Sequence, residues 1–168
     1  MSVLKRTQLY GIHVAAGAAM VDFGGWEMPI EYPSKIVAEH LYTRHACSLF
    51  DVSHMGRVLV DGPEAVSFLQ HVLSSNVSAL DLNQAQYAII PNERGGAVDD
   101  AYLYRFEEER FLLVVNAANT DKDLAHLGEQ IKSYDARMTV ITGDWAAIAV
   151  QGPKSKEILQ VLSGGKAI

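Results

Sequence analysis

Cysteine is almost missing from this sequence. The single residue Cys47 cannot close a disulfide within the chain, which excludes the disulfide-held frameworks of small secreted domains and fits a reducing, cytoplasmic location. Positive charge is also scarce: fourteen Lys and Arg stand against twenty Asp and Glu, the net charge is -6, and no basic run exceeds Lys5-Arg6. Nucleic-acid binding is not expected, because it needs clustered cations to meet phosphates. Long apolar runs are lacking as well. The start, "MSVLKRTQLYGIHVAAGAAMVDF", is broken by Gly11, His13 and Gly17, so it reads as part of the fold and no membrane span is expected. Metal-ligand spacings are absent in the same way. His40 and His45 lie five apart, which places them on different faces of a helix, and neither HExxH nor CxxC occurs; no metal site is expected. Glycine pairs occur at 24–25, 95–96 and 164–165 without GxGxxG or GxxxxGK spacing, so they read as turn residues rather than a phosphate cradle.

What the sequence does have is an ordinary globular composition, hydrophobic 49% and charged 20% over 168 residues, enough for a full-sized core. "YPSKIVAEHLYTRHA" predicts a helix near Ser34 to Ala46, opened by Pro33-Ser34. "SLFDV" and "GRVLVDG" predict strands, and "GPEAVSFLQHVL" a helix with Pro63 in its first turn. "QYAIIP", "GAVDDAYLYRF" and "RFLLVVN" predict three more strands, whose short connections imply antiparallel pairing. "TDKDLAHLGEQIKSY" carries Leu124, Leu127 and Ile131 on one helical stripe, and Thr120 with Asp123 resembles a capping box. Strands "RMTVIT" and "AAIAVQG" and a helix starting at Pro153 follow. The expected fold is α+β, a mainly antiparallel sheet flanked by helices.

Two stretches invite chemistry. "FDVSHM" holds Asp51, Ser53 and His54 and imitates a hydrolase triad, but Ser53 and His54 point to opposite sides of an extended segment. The plainer reading is a strand end whose polar groups satisfy backbone donors. "GGAVDD" places Asp99 and Asp100 at the head of an apolar strand, where an unpaired carboxylate is costly. Alternation gives Asp99 the face of Ala101 and Leu103, and Asp100 that of Tyr102 and Tyr104. The two therefore cannot act as a proton-sharing dyad, and the residues alone leave open which of them is functional.

Taken in order, "MVDFGGWEMPIEY", "FDVSHMGRVLVDGPEAVSFLQ", "GGAVDD", "LVVNAANTDKDLAHL" and "IAVQGP" resemble the aminomethyltransferase family of the glycine cleavage system. The likeness runs from about Leu9 to Leu159. It implies a folate-binding fold of which residues 1–168 are the N-terminal part, with the second half of the folate ring and a C-terminal β-barrel lying beyond Ile168. It also implies transfer of an aminomethyl carbon from the lipoyl arm of H-protein to tetrahydrofolate, giving methylene-tetrahydrofolate, ammonia and the dihydrolipoyl carrier. Asp99 matches the family's carboxylate beside the reacting folate nitrogens, and Asp100 is left a structural role. Tyr87 and Asn116 match polar positions of the folate cavity, with Met55 and Val115 as apolar walls. Tyr87, Asn116, Asp99 and Met55 should then share one concavity. Other members of the fold, such as a tetrahydrofolate-dependent demethylase, and a non-catalytic folate-binding piece are the competing expectations. The chain alone is expected to bind tetrahydrofolate weakly, without turnover, and to self-associate.

Overall fold

The computed structural model describes residues 3–165. In chain order the elements are α1 (Tyr10–Ala15), β1 (Ala19–Phe23), β2 (Trp26–Glu31), α2 (Ile36–His45), β3 (Ser48–Asp51), β4 (Gly56–Asp61), α3 (Ala65–Val72), β5 (Ala85–Pro91), β6 (Ala97–Glu107), β7 (Arg110–Val115), α4 (Thr120–Gln130), β8 (Arg137–Val140), β9 (Ile148–Gln151) and α5 (Ser155–Leu162). They fall into two compact units. Residues 55–144 make one, and the segments up to 54 and from 145 make the other.

The unit of residues 55–144 is built on a five-stranded antiparallel sheet in the order β5-β6-β7-β4-β8. Strict alternation drives one face of it inward. Val58 and Val60, Ala88 and Ile90, Ala101 and Leu103, and Phe111, Leu113 and Val115 are all buried there, and each fully buried large side chain stabilises the unit by about 1.5–3 kcal/mol. Helix α3 covers that face through Ala65, Phe68, Leu69 and Val72, an i, i+3, i+4, i+7 stripe. Leu127 of α4 joins the same core.

Turn chemistry sets the strand register. Between β5 and β6, Asn92 Oδ1 accepts from the Arg94 and Gly96 amides at 2.9 and 3.0 Å. Gly95 takes a φ of 77°, a conformation glycine adopts without the penalty of a Cβ. That turn fixes Ile90 opposite Asp99 and Tyr87 opposite Tyr102.

The other unit contains two small antiparallel pairs, β1 with β2 and β3 with β9. Among its described residues, only Thr7, His13, Met28 and Ser53 are buried, and neither α2 nor α5 buries a residue. Its interior is polar: Asp51 accepts from Thr7 Oγ1 at 2.7 Å and from His13 Nε2 at 2.9 Å. Nδ1 of the same ring meets the Tyr32 hydroxyl at 2.7 Å.

The α+β class with antiparallel sheets flanked by helices is as the sequence predicts, and every predicted helix and strand is present. Helix α1 and the β1–β2 hairpin were not anticipated. The glycines of the first twenty-five residues and Pro29 inside β2 mask the periodicity there.

Candidate functional site

The paired aspartates open β6, and register separates them. Asp99 pairs with Ile90, whose side chain is fully buried, while Asp100 pairs with Ile89 on the opposite face. Tyr87 pairs with Tyr102, so it stands with Asp100 and not with Asp99. The expectation that Tyr87 shares a concavity with Asp99 therefore fails by one residue of strand alternation. Three tyrosines line the Asp100 face. The rings of Tyr87 and Tyr102 lie 6.5 Å apart edge to face, and those of Tyr102 and Tyr104 lie 5.5 Å apart. Tyr87 is 54% exposed, so this aromatic row is open. Desolvation, followed by the negative charge of Asp100 and then Asp99, pushes the Tyr87 phenol above its ordinary value.

Asn116 directly follows β7 and joins the two carboxylates. Its Nδ2 donates to Asp100 Oδ1 at 2.9 Å and to Asp99 Oδ1 at 3.1 Å. The register that sets Ala101 opposite Val115 brings Asn116 beside Asp100. Val115 itself faces the core, 1% exposed, so it supports the site from behind and does not line the Asp100 face. Met55 is half-buried and stands one position before β4, whose Gly56 pairs with Val115. Continuing that register sets Met55 across from Asn116.

Behind the sheet lies a residue that sequence reasoning assigned elsewhere. Asp123 of α4 is completely buried and does not cap the helix, whose N-terminus has no side-chain cap. Thr120 Oγ1 donates to the Asn116 carbonyl at 3.0 Å instead, so the expected capping box is absent. Asp123 meets Asp99. Burial, then the hydrogen bond with Asp99 and its charge, push Asp123 up to about 7, against the pull of Lys122. Burial also pushes Asp99 upward, but hydrogen bonds from Asp123, the Asp100 amide, Asn116 and Asn119 outweigh it and hold Asp99 below the usual carboxylate value. The available signal was an Asp one turn before Leu127 on the apolar stripe, where an acid is out of place.

"FDVSHM" forms no nucleophilic triad. The Ser53 amide donates to Asp51 Oδ1 at 2.9 Å, and Ser53 Oγ accepts the Ala147 amide at 2.9 Å, which are backbone-satisfying roles. A cavity of about 550 Å³ in that unit is walled by residues that include Tyr32, Thr43, Cys47, Phe50 and Asp51. None of Met55, Tyr87, Asp99, Asp100 or Asn116 borders it. The chemistry-bearing residues instead gather on an open sheet face, which can orient a flat, hydrogen-bonding ring by stacking and by a fixed carboxylate.

Comparison with known proteins identifies the family. The aminomethyltransferase of Deinococcus deserti is 49% identical over 159 residues, 95% of this chain and 44% of the relative. That of Thermus thermophilus is 49% identical over 160 residues, 95% of this chain and 46% of the relative. The crystal structure of glycine cleavage system aminomethyltransferase T from Bartonella henselae superposes with a TM-score of 0.90 at 38% identity, covering 95% of this chain and 44% of that one. The chain thus spans somewhat under half the length of these relatives. The family described as GCVT N-terminal domain matches residues 9–167, nearly the whole sequence, and the chain belongs to it.

Proposed function

We propose that this chain supplies the tetrahydrofolate-facing wall of a glycine-cleavage aminomethyltransferase, which takes an aminomethyl carbon from the lipoyl arm of H-protein and releases ammonia. The observation that carries this reading is the open sheet face on which Asp100, Tyr87, Tyr102 and Tyr104 stand together, with the Asn116 amide on Asp100 at 2.9 Å. Those residues suit a pterin, whose ring is flat and whose edge is rich in hydrogen-bonding groups. The aromatic row offers stacking area, the carboxylate accepts N–H donors, and Met55 adds an apolar border.

Tetrahydrofolate supplies the nitrogen nucleophiles that take up the transferred carbon. The protein's own contribution is position and charge. As the amine leaves, positive charge develops at the transferred carbon, and a carboxylate held in place beforehand stabilises it without reorganising. In this reading Asp100 is the carboxylate facing the ligand. Asp99, expected from the family resemblance to hold that role, turns toward Asp123 and serves as a support. The reason is register, since Asp99 shares its face with the core residues Ala101 and Leu103.

Calorimetric titration of the chain with tetrahydrofolate separates the two carboxylates. Asp100→Asn should weaken binding by about 10- to 100-fold, the loss of one charge-assisted hydrogen bond of about 1.5–3 kcal/mol. Asp99→Asn should alter affinity less and stability more. A larger affinity loss in Asp99→Asn than in Asp100→Asn would return the ligand-facing role to Asp99.

A further inference from the structure

Three buried carboxyl oxygens meet behind the sheet without a conventional donor. They are Asp99 Oδ2 and both oxygens of Asp123. Asp99 spends its other oxygen on Asn116, and Lys122 Nζ, 3.8 Å from Asp123 Oδ1, makes its short bond to the Val98 carbonyl at 2.6 Å. Two carboxylates in contact cannot both stay ionised, and one proton placed between them satisfies the pair. Asp123 has no exposed surface, so its charged form is the costlier of the two and the proton belongs on it.

We propose that Asp123 is a positioning residue: as a neutral acid it donates to Asp99, and through Asp99 and Asn116 it fixes the direction of the Asp100 carboxylate on the open face. The chain of contacts is continuous. Asp123 holds Asp99, Asp99 and Asp100 share the Asn116 amide, and Thr120, three residues before Asp123 on α4, holds the Asn116 backbone carbonyl. Removing the proton leaves two facing negative charges, which push Asp99 out of line and release its share of the Asn116 amide. The direction of Asp100 then loosens. The shift of Asp123 toward neutrality places this change within the physiological range. Its charged neighbours are Asp99 and Asp100 from β6 and Lys122 from its own helix, while β7 and the turn after it bring the neutral Asn116 and Asn119 to Asp99. The consequence for ligand binding rests on the reading of the Asp100 face as the folate face, whereas the coupling itself does not.

Two measurements on the chain separate these. In nitrogen-15 spectra recorded from about pH 5 to about pH 8.5, the Asn116 side-chain amide should titrate with a midpoint near neutrality. Asp123→Asn, which donates to Asp99 without titrating, should abolish that titration and hold the amide at its acid-form position. Asp123→Ala, lacking a donor, should shift it at every pH. Tetrahydrofolate affinity should fall by about threefold or more across the same range in the native chain and stay level in Asp123→Asn. An Asn116 titration that persists in Asp123→Asn, or an amide unmoved in the native chain, overturns the proposal. A correct amide response with tetrahydrofolate affinity level in the native chain upholds the coupling and removes the folate assignment of that face.

Discussion

A carboxyl group with no exposed surface, such as Asp123, makes the stability of its protein depend on pH. Its folded value is about 7 against 3.8 for the free group, so between these values the folded chain binds more protons than the unfolded one and stability falls as pH rises. The contribution is fully present below about 3.8 and is lost as pH passes about 7, with an upper bound of about 4 kcal/mol. Asp99 has the opposite sign. Its folded value is depressed, so its stabilisation is present above the ordinary carboxylate range and is lost only in stronger acid. Thermal melts at about pH 5 and about pH 8 should therefore show a higher midpoint at the lower pH, by at least about 2 °C if even 1–2 kcal/mol of the bound is realised. Asp123→Asn should remove most of that difference, and an undiminished difference in this variant would place the titration elsewhere. At this scale the sequence was half legible. Alternation along "VDDAYLY" correctly put Asp99 and Asp100 on different faces, because a strand has only two. Which face carries Tyr87 depends on the pairing of β5 with β6, a nonlocal register that no spacing within either strand reveals. Asp123 was misread because "TDKD" fits a helix cap and an inward carboxyl equally well until its partner, distant in sequence, is known.

The elements that legible turns define are the ones the sequence predicts best. Asn92 to Gly96 and Glu107 to Arg110 punctuate β5, β6 and β7, and each strand is long enough to show its alternation. Strands β1 and β2, with glycines before and between them and Pro29 within, offer no such signal. One close approach ties β4 and α4 to the site. A Cβ on Gly56 would lie 2.6 Å from Val115 Cγ2 and 2.7 and 2.8 Å from Thr120 Oγ1 and Cγ2. Val115 is packed in the core and Thr120 is bonded to Asn116, so neither yields freely. Gly56 thereby lets β4 lie directly beneath the first turn of α4, the turn from which Asp123 reaches Asp99. Gly56→Ala should cost about 1–3 kcal/mol in chemical denaturation and should also weaken tetrahydrofolate binding, because α4 and Asn116 move together. A midpoint unchanged to within about 0.5 kcal/mol would mean that the turn adapts and that the contact carries little energy.

Across the whole molecule, burial is divided very unevenly between the two units. The core cluster of seventeen residues, from Val58 to Leu127, lies wholly within residues 55–144. In the other unit Met28 is the one buried hydrophobic among the described residues, and cohesion there rests on the Asp51, His13, Thr7 and Tyr32 network and on short strand pairs. Hydrogen bonds contribute about 1 kcal/mol each net of water, and a network of four side chains cannot match a packed sheet and helix layer. Amide exchange should accordingly be slowest in β4, β6 and β7 and faster by orders of magnitude in β3, β9 and α5. The same imbalance leaves apolar groups in water: Val161 and Leu162 of α5 are 76% and 77% exposed, and Val37 and Leu49 are 70% and 69% exposed. Apolar patches of this kind drive association, and a two-stranded sheet has free edges that a second copy can pair with. The chain should therefore self-associate as its concentration rises, with a sedimentation or light-scattering mass above the 18.4 kDa of one copy. The paired substitution Val161→Lys with Leu162→Glu should shift that equilibrium toward the monomer, and the exchange protection of residues 55–144 should be unaffected. A native chain that stays monomeric at every concentration, with α5 as protected as β6, would show that the exposed side chains of this unit carry no drive to associate and that its few buried groups suffice to hold it.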